Sequence, residues 1–519
     1  MSPAGQTADI DTADRWLPLL VVVAWLTIVV FAMANHELWR DEAEPWLLAL
    51  HSGSFAELFR NVKYEGHSTL WYVSLFVLTR VTASPVAMQV LHLGIGAAIV
   101  WTFARYAPFT RLQRVLFALG YFPLYEYAVV SRDYSVGVLL LLAICAALGP
   151  RAIRFPTVVV LLALVPHTNV FAAVVGLALG LTLLVDRWLL GGPMLTKGVS
   201  RAQFAWGLAV VSISVALAAV QLKPPADSAI VVGWQPILTL DMLAKRVRTV
   251  AEPLFPIPQL DREWWTKPFL WNLWAVGPLR WPLAGATYAV LGWVAFGLAR
   301  QPRALIFLAT AVSGLIAFTY LKFAGEVRHL GHFFVALVMA LWLGNIEDAR
   351  RSGVSDGWIG RAWAFANRTL FTTLLGVHVL GGALAVLLDR RYIFSNGKAT
   401  AAYLVEHGLD RAPFVAEPDY TAQSVLVYLQ PKQAYFPRGE RTGAFVIWNK
   451  ARLAPVTDSA CLDRARRLAT DGGTPAVLLL NHPLAVDSTD SAGTRELARF
   501  VGSTVGDEDF YVYSVRPER

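Results

Sequence analysis

Charge is what this sequence has least of. Only 16% of its 519 residues are Asp, Glu, Lys or Arg, while 56% are hydrophobic, and the mean hydropathy is +0.48. A soluble domain is near half apolar and about a quarter charged, so much of this chain needs a non-aqueous solvent. Cysteine is nearly missing as well. Cys145 sits in an apolar run and Cys461 in the polar tail, which argues against a disulfide between them and leaves no metal-binding cysteine pattern. The chain shows no internal repeat and no low-complexity tract. A cleavable leader is not expected either: Met1 to Arg15 is polar, and the apolar run 16–34 is long enough to stay in the bilayer as a signal-anchor. The formal net charge of +8 does not point to nucleic acid. The Lys and Arg residues stand in short clusters between apolar runs, as membrane topology requires.

A spanning helix needs about 20 apolar residues. Candidate spans are 16–34, 86–104, 114–130, 134–149, 155–166, 168–185, 204–222, 282–299, 304–322, 328–345 and 369–388, an α-helical polytopic membrane bundle of about 11 helices. The segment 69–82 is ambiguous, because roughly 14 residues fall short of a bilayer and suit the interface instead. The charges resolve it. With a cytoplasmic N-terminus and 69–82 not crossing, every basic loop falls inside: Arg105, Arg111 and Arg114; Arg151 and Arg154; Arg187, Lys197 and Arg201; Arg300 and Arg303; Arg350, Arg351, Arg361 and Arg368. The segment 69–82 is therefore read as a juxtamembrane helix. The outer side then receives the loops 35–85 and 223–281, the junction Ser131–Ser135, and everything after Asp389.

The chain thus divides into a membrane module over 1–390 and a tail over 391–519. The tail alternates β-like runs (Pro413–Glu417, Ala444–Trp448, Ala476–Leu480, Phe510–Val515) with helical ones (Ala401–His407, Thr421–Leu429, Cys461–Thr470). Such alternation predicts an extracytoplasmic α/β domain, three-layered or open-sheet.

Chemistry-bearing residues gather on that outer side. Trp39-Arg40-Asp41-Glu42-Ala43-Glu44 follows the first span directly; its adjacent carboxylates suit a general base or metal ligands, and equally a solvated loop. Tyr64-Glu65-Gly66-His67 closes the same loop with another carboxylate and an imidazole. Ser131-Arg132-Asp133-Tyr134 stands where two spans meet. Arg132 there is either a partner for a lipid phosphate or a snorkelling anchor. Lys322, Glu326, Arg328 and His329 lie at the outer junction of two late spans, as a cationic phosphate clamp or as simple interfacial charge. Trp234, Trp264, Trp265, Trp271 and Trp274 stud the long outer loop, for stacking on sugar faces or as an interfacial belt.

The order of these features is specific. A first span, an outer loop opening with Arg40-Asp41-Glu42, an amphipathic helix, Glu65-Gly66-His67 before a short apolar segment, then Ser131-Arg132-x-Tyr134, resembles the GT-C superfamily of glycosyltransferases. The branch containing protein O-mannosyltransferases and lipid A aminoarabinose transferases is the nearest in pattern. The resemblance covers 16–150 well and implies a polyprenyl-phosphate sugar as donor, Asp41 as catalytic base and Glu42 as its neighbour. His67 resembles the His of the family's His-Pro-Pro motif, although Ser68 and Thr69 follow here. Asp133 stands where the family often has a second acidic residue, and Arg328-His329 is a fainter echo. The tail resembles outer domains of some bacterial members.

The layout suits such chemistry. A polyprenyl phosphate is lipid-soluble and its sugar polar, so the reacting carbon lies at the headgroup plane. Inverting transfer there needs a base for the acceptor hydroxyl and positive charge for the departing phosphate. The expectation is a glycosyltransferase of a bacterial inner membrane, acting at the periplasmic face on a lipid, glycan or protein acceptor. The alternative is a transporter or flippase of a lipid-linked saccharide, which the lack of repeats and of midplane charges disfavours. No cofactor is demanded, and a divalent cation is left open.

Overall fold

The computed structural model describes residues 12–149, 153–190, 193–230, 239, 250–265, 280–351, 358–452, 455–485 and 493–517. A first apolar helix, α1 (Thr12–Asn35), is followed by three short ones: α2 (Arg40–His51), α3 (Phe55–Val62) and α4 (Thr69–Thr79). Then come α5 (Val86–Tyr106), α6 (Arg111–Ala118), a π-helical turn at Phe122–Glu126, and α7 (Tyr134–Leu148). The bundle continues with α8 (Phe155–Leu164), α9 (Val170–Trp188), α10 (Arg201–Leu222), α11 (Arg280–Gly297), α12 (Pro302–Leu321), α13 (Val327–Arg350) and α14 (Trp358–Arg391). Among the described residues seven helices are long and apolar enough to cross a membrane: α1, α5, α9, α10, α12, α13 and the part of α14 from Arg368. The expected spans 134–149, 155–166 and 282–299 fall on shorter apolar helices.

The expected span 114–130 is not a continuous helix. It divides into α6 and the π-helical turn, and residues 120–135 are buried throughout. The stretch still traverses the bundle. Gln113 bonds to Thr372 Oγ1 (3.1 Å) on α14, while the amide of Ser131 meets Glu42, whose partner His36 also binds Asp389 at the far end of α14. Apolar composition marks a buried segment whether or not it is helical, and here neighbouring helices satisfy the irregular backbone. α4 has 11 residues, about 16 Å of helix, half the roughly 30 Å hydrocarbon core. It packs on α2 and α3, lying beside the membrane helices as a juxtamembrane element would.

α13 is the central post. Seventeen of its residues are buried. Gly331 lets it press against the π-helical turn, because a Cβ there would collide with Tyr127 and Phe122. That close approach lets the Tyr127 hydroxyl donate to the Arg328 carbonyl (2.9 Å).

The tail continues with α15 (Gly397–Glu406), β1 (Phe414–Glu417), α16 (Asp419–Leu426), β2 (Ala434–Phe436), β3 (Arg441–Gly443), α17 (Asp458–Gly472), β4 (Ala476–Leu480), β5 (Thr494–Phe500) and β6 (Phe510–Val515). Its six strands form one mixed sheet in the order β3-β2-β1-β4-β6-β5. Alternation along β1 and β4 sends Phe414, Ala416, Val477 and Leu479 to one face and Val415, Ala476, Leu478 and Leu480 to the other. α17 covers the second face. The first face shares a core with α16 and with Trp46, Leu47, Trp71 and Tyr72 of α2 and α4. A three-layer domain is thereby fused to the short helices α2 and α4 that follow the first membrane helix. The run Ala444–Trp448 is a correction. It forms no strand, and its apolar residues serve as cover, with Ala444 and Phe445 buried in the shared core.

Candidate active site

Four segments meet at one end of the bundle: the start of α2, the loop 63–68, the junction 131–133, and the start of α13. α2 can begin where it does because Glu42, in its first turn, is completely buried and fully used. Its carboxylate accepts from the amides of Trp39 (3.4 Å) and Ser131 (2.6 Å) and bonds to His36 Nε2 (3.0 Å). His36 Nδ1 in turn meets Asp389 (3.0 Å). Burial alone would lower the His36 imidazole, but Asp389 and Glu42 together raise it well above its ordinary value, so it bridges the two carboxylates as a cation. Glu42 is therefore a structural hub joining α1, α2, the 131 junction and α14.

Its neighbour Asp41 points the other way, into a ring of guanidinium groups. Arg328 Nη2 lies 3.4 Å from Asp41 Oδ2, Arg132 Nη2 3.9 Å from the same oxygen, and Arg40 Nε 3.8 Å from Oδ1. Arg132 also donates to the Asp41 carbonyl. Burial would raise the Asp41 carboxyl, yet Arg132, Arg328 and Arg40 hold it below the usual carboxylate range. Arg132 is 7% exposed, too enclosed for an interfacial anchor. Arg328 lies over the rings of Trp39 (5.3 Å) and Trp265 (5.4 Å), which pack edge-to-face on each other, so cation–π contact with both indoles holds it in place. The Nε atoms of Arg132 and Arg328 are both buried without a partner, as is Asp133 Oδ2.

The remaining predicted residues separate into two kinds. His67 Nδ1 faces Asp133 Oδ2 at 4.0 Å and completes the ring, its imidazole lowered by burial. Glu65 is also present, its carboxyl beside that of Glu44. Arg40, expected among the donor-binding residues, is instead committed to the tail domain. It pairs with Asp507 and with Glu508 (3.5 Å), and its amide donates to Glu508 (2.9 Å). His329, expected as part of a cationic clamp, is a neutral packing group. Its Nδ1 accepts from the Glu326 amide (2.9 Å), leaving Nε2 to meet the Tyr134 hydroxyl (2.8 Å), a pattern that assigns the tautomer. Tyr134 is thereby fixed under Arg132, 5.8 Å from the guanidinium. Lys322 ends α12, at the turn leading to α13.

Trp264 and Trp265 neither stack on solvent-facing sugars nor line an interfacial belt. Both are buried. Trp264 packs against Tyr125 (5.4 Å), and Trp265 Nε1 donates to Glu126 (3.1 Å). Trp234, Trp271 and Trp274 lie outside the described residues. His36, Trp39, Glu44 and Glu126 were not among the predicted site residues, and nothing local marks His36, Trp39 or Glu126 as part of a site. Only Glu44, in the same acidic motif, carried a signal. Among the described residues no group of three or more His, Cys, Asp or Glu is placed to hold a metal ion.

No protein-family model and no curated protein sequence matches the chain. Among solved structures it aligns with the crystal structure of ArnT from Cupriavidus metallidurans bound to undecaprenyl phosphate. The identity is 13% and the TM-score 0.47, over 96% of this chain and 99% of that one. The apo form of the same protein aligns at 12% identity and a TM-score of 0.46, over 98% and 100%. The arabinofuranosyltransferase AftD from Mycobacteria aligns at 14% identity and a TM-score of 0.39, over 97% of this chain and 42% of that one.

Proposed function

We propose that this chain is a GT-C-type glycosyltransferase that moves a sugar from a polyprenyl-phosphate donor to an acceptor hydroxyl at the periplasmic face of a bacterial inner membrane. The observation that carries this reading is the pair of enclosed guanidinium groups, Arg132 and Arg328, converging on Asp41 with a buried, unpartnered Nε on each. Guanidinium groups held at fixed angles match the oxygens of a phosphate in a way that a flexible ammonium does not. Asp41 keeps the two cations together, and carboxylates beside them supply a proton acceptor for the incoming hydroxyl. The tail domain, fused to α2 and α4, closes the outer side of this site.

Transport is the weaker reading, because the acidic residues gather at one end of the bundle rather than along a path through its middle. The decisive experiment is sugar transfer by purified protein in lipid nanodiscs, with polyprenyl phosphates carrying pentoses or hexoses and inner-membrane lipids, glycans or peptides as acceptors. Transfer from at least one donor is expected; none from any would sink the reading.

Sidedness is tested separately. Both native cysteines are buried, so background labelling is low. Cysteine introduced at Arg60 should react with an impermeant maleimide in intact cells, and cysteine at Arg111 only after lysis. The reverse pattern would invert the topology.

A further inference from the structure

Asp41 is the carboxylate that the motif marks first, yet three guanidinium groups face it. An anion so held collects protons poorly. One turn along α2, Glu44 lies on the same side of the helix, at the i+3 position. It accepts from Gln423 Nε2 (3.4 Å) and Trp448 Nε1 (3.3 Å), both in the tail domain. The carboxyl of Glu65 is hydrogen-bonded to it, and Arg132 bears on both.

The wall beside this pair is built from three separate segments. The Tyr64 hydroxyl donates to Asp227 (3.0 Å), the Lys450 amide donates to the Asp227 carbonyl (2.6 Å), and the Ala229 amide donates to the Trp448 carbonyl (2.8 Å). Ser228 and Asn449 form an antiparallel bridge there. The first outer loop, the start of the second and the tail are thus stitched together next to Glu44. On the other side stand buried atoms without a hydrogen-bond partner: Arg132 Nε, and Asp133 Oδ2, which has only the His67 imidazole at 4.0 Å and lies on a residue 3% exposed. Buried polar atoms are normally satisfied, so this concentration marks a place where a polar ligand completes the network.

We propose that Glu44, backed by Glu65, receives the proton of the acceptor hydroxyl, and that the acceptor reaches it along the wall formed by Tyr64, Asp227 and Trp448. The assignment rests on the glycosyl-transfer reading above. In the step, the acceptor oxygen forms a bond to C1 of the sugar as the C1–O bond to phosphate breaks. The bonding pair leaves with the phosphate, which Arg132 and Arg328 hold, and the acceptor proton passes to Glu44 and then to water. The tail domain thereby contributes to the acceptor side of the site, through Gln423 and Trp448.

The electrostatics agree with the geometry. Burial first, and Asp41 second, push the Glu44 carboxyl up to about 7. Glu65 is also raised well above the usual carboxylate range, by burial and then by Glu44. The groups facing Glu44 are Asp41, Glu65, Arg132, Gln423 and Trp448; those facing Glu65 are Glu44, Arg132, Asp41 and Tyr72. A base acts when ionised, so turnover rises with pH through about 7 and levels above it. Replacing Asp41 removes a negative neighbour, lowers Glu44 and moves that limb to lower pH.

The test compares Glu44→Gln with Asp41→Asn in nanodiscs, measuring kcat and donor KM against pH with the donor that the parent uses. Undecaprenyl phosphate binding, read by tryptophan fluorescence, is the check on folding. Glu44→Gln should lower kcat about 10²-fold, lose the limb near pH 7, and bind undecaprenyl phosphate as the parent does. Asp41→Asn should raise donor KM and shift the limb downward. Parental kcat in Glu44→Gln, or an unmoved limb in Asp41→Asn, would overturn the assignment while leaving glycosyl transfer standing. Absence of transfer by the parent itself would overturn both.

Discussion

At its N-terminal end α13 carries Arg328 into the cluster around Asp41; at its C-terminal end it carries Glu347 into a second buried cluster with Asp186 and Arg303. The second cluster is complete. Asp186 accepts from the amides of Met194 and Thr196 and from the Thr196 hydroxyl, at 2.7–2.8 Å, and from Arg303 at 2.5 Å. Glu347 accepts from the Ala304 amide (2.8 Å) and pairs with Arg303 (3.6 Å) and Arg351 (3.4 Å). Arg350 donates to the carbonyls of Met194, Leu148 (2.6 Å) and Gly149. Among the described residues, no side-chain atom of Asp186, Arg303 or Glu347 is buried without a partner. The first cluster has a comparable number of charges and leaves several atoms unsatisfied. A finished network ties helices together, whereas an unfinished one in an otherwise well-packed bundle leaves polar atoms for a ligand or water to satisfy.

Substitutions that treat the two ends alike should therefore give unlike results. The largest effect is expected from Arg303→Ala, which removes the buried cation that Asp186 and Glu347 share and costs about 3–5 kcal/mol of stability. A melting curve in detergent measures it, and a small shift would mean that this end is not scaffolding. Arg328→Ala should melt near the parent and lose about 10²-fold or more in donor use, the cost of truncating one member of an enclosed charge contact. Arg328→Lys should restore only part, because an ammonium matches the charge and not the fork. The losses at Arg132 and Arg328 should fall short of adding, since both act on one phosphate. Full donor affinity in the Arg132→Lys, Arg328→Lys double variant would reduce both to generic cations. The smallest effect belongs to Ser200, which caps α10 by accepting from the Gln203 amide (3.1 Å). Ser200→Ala should cost about 1 kcal/mol and leave transfer unchanged; a loss of transfer would show that the two ends are coupled.

Much of this was legible along the chain. Long apolar runs marked the helices because a bilayer demands both length and composition, and Arg-Asp-Glu and Ser-Arg-Asp-Tyr marked two of the four segments that meet at the site. The tie of Arg40 to the tail was not legible, because its partners Asp507 and Glu508 lie more than 460 residues away. His329 was misread because charge was inferred from residue type, while its protonation is set by the Glu326 amide and Tyr134. The run 114–130 looked like a span because hydropathy reports burial and not backbone regularity.

Composition and order alone therefore determined that the chain lives in a membrane, roughly where its helices lie, and that its chemistry gathers on one side. Tertiary structure alone decided how the adjacent carboxylates divide their work. Asp41, Glu42 and Glu44 lie within one turn of helix, yet the first faces three guanidinium groups, the second a buried imidazolium and a backbone amide, and the third the Glu65 carboxyl and an indole. The proton affinity of a carboxylate is set by burial and by charges within a few ångströms, and every one of those neighbours except Arg40 comes from outside α2.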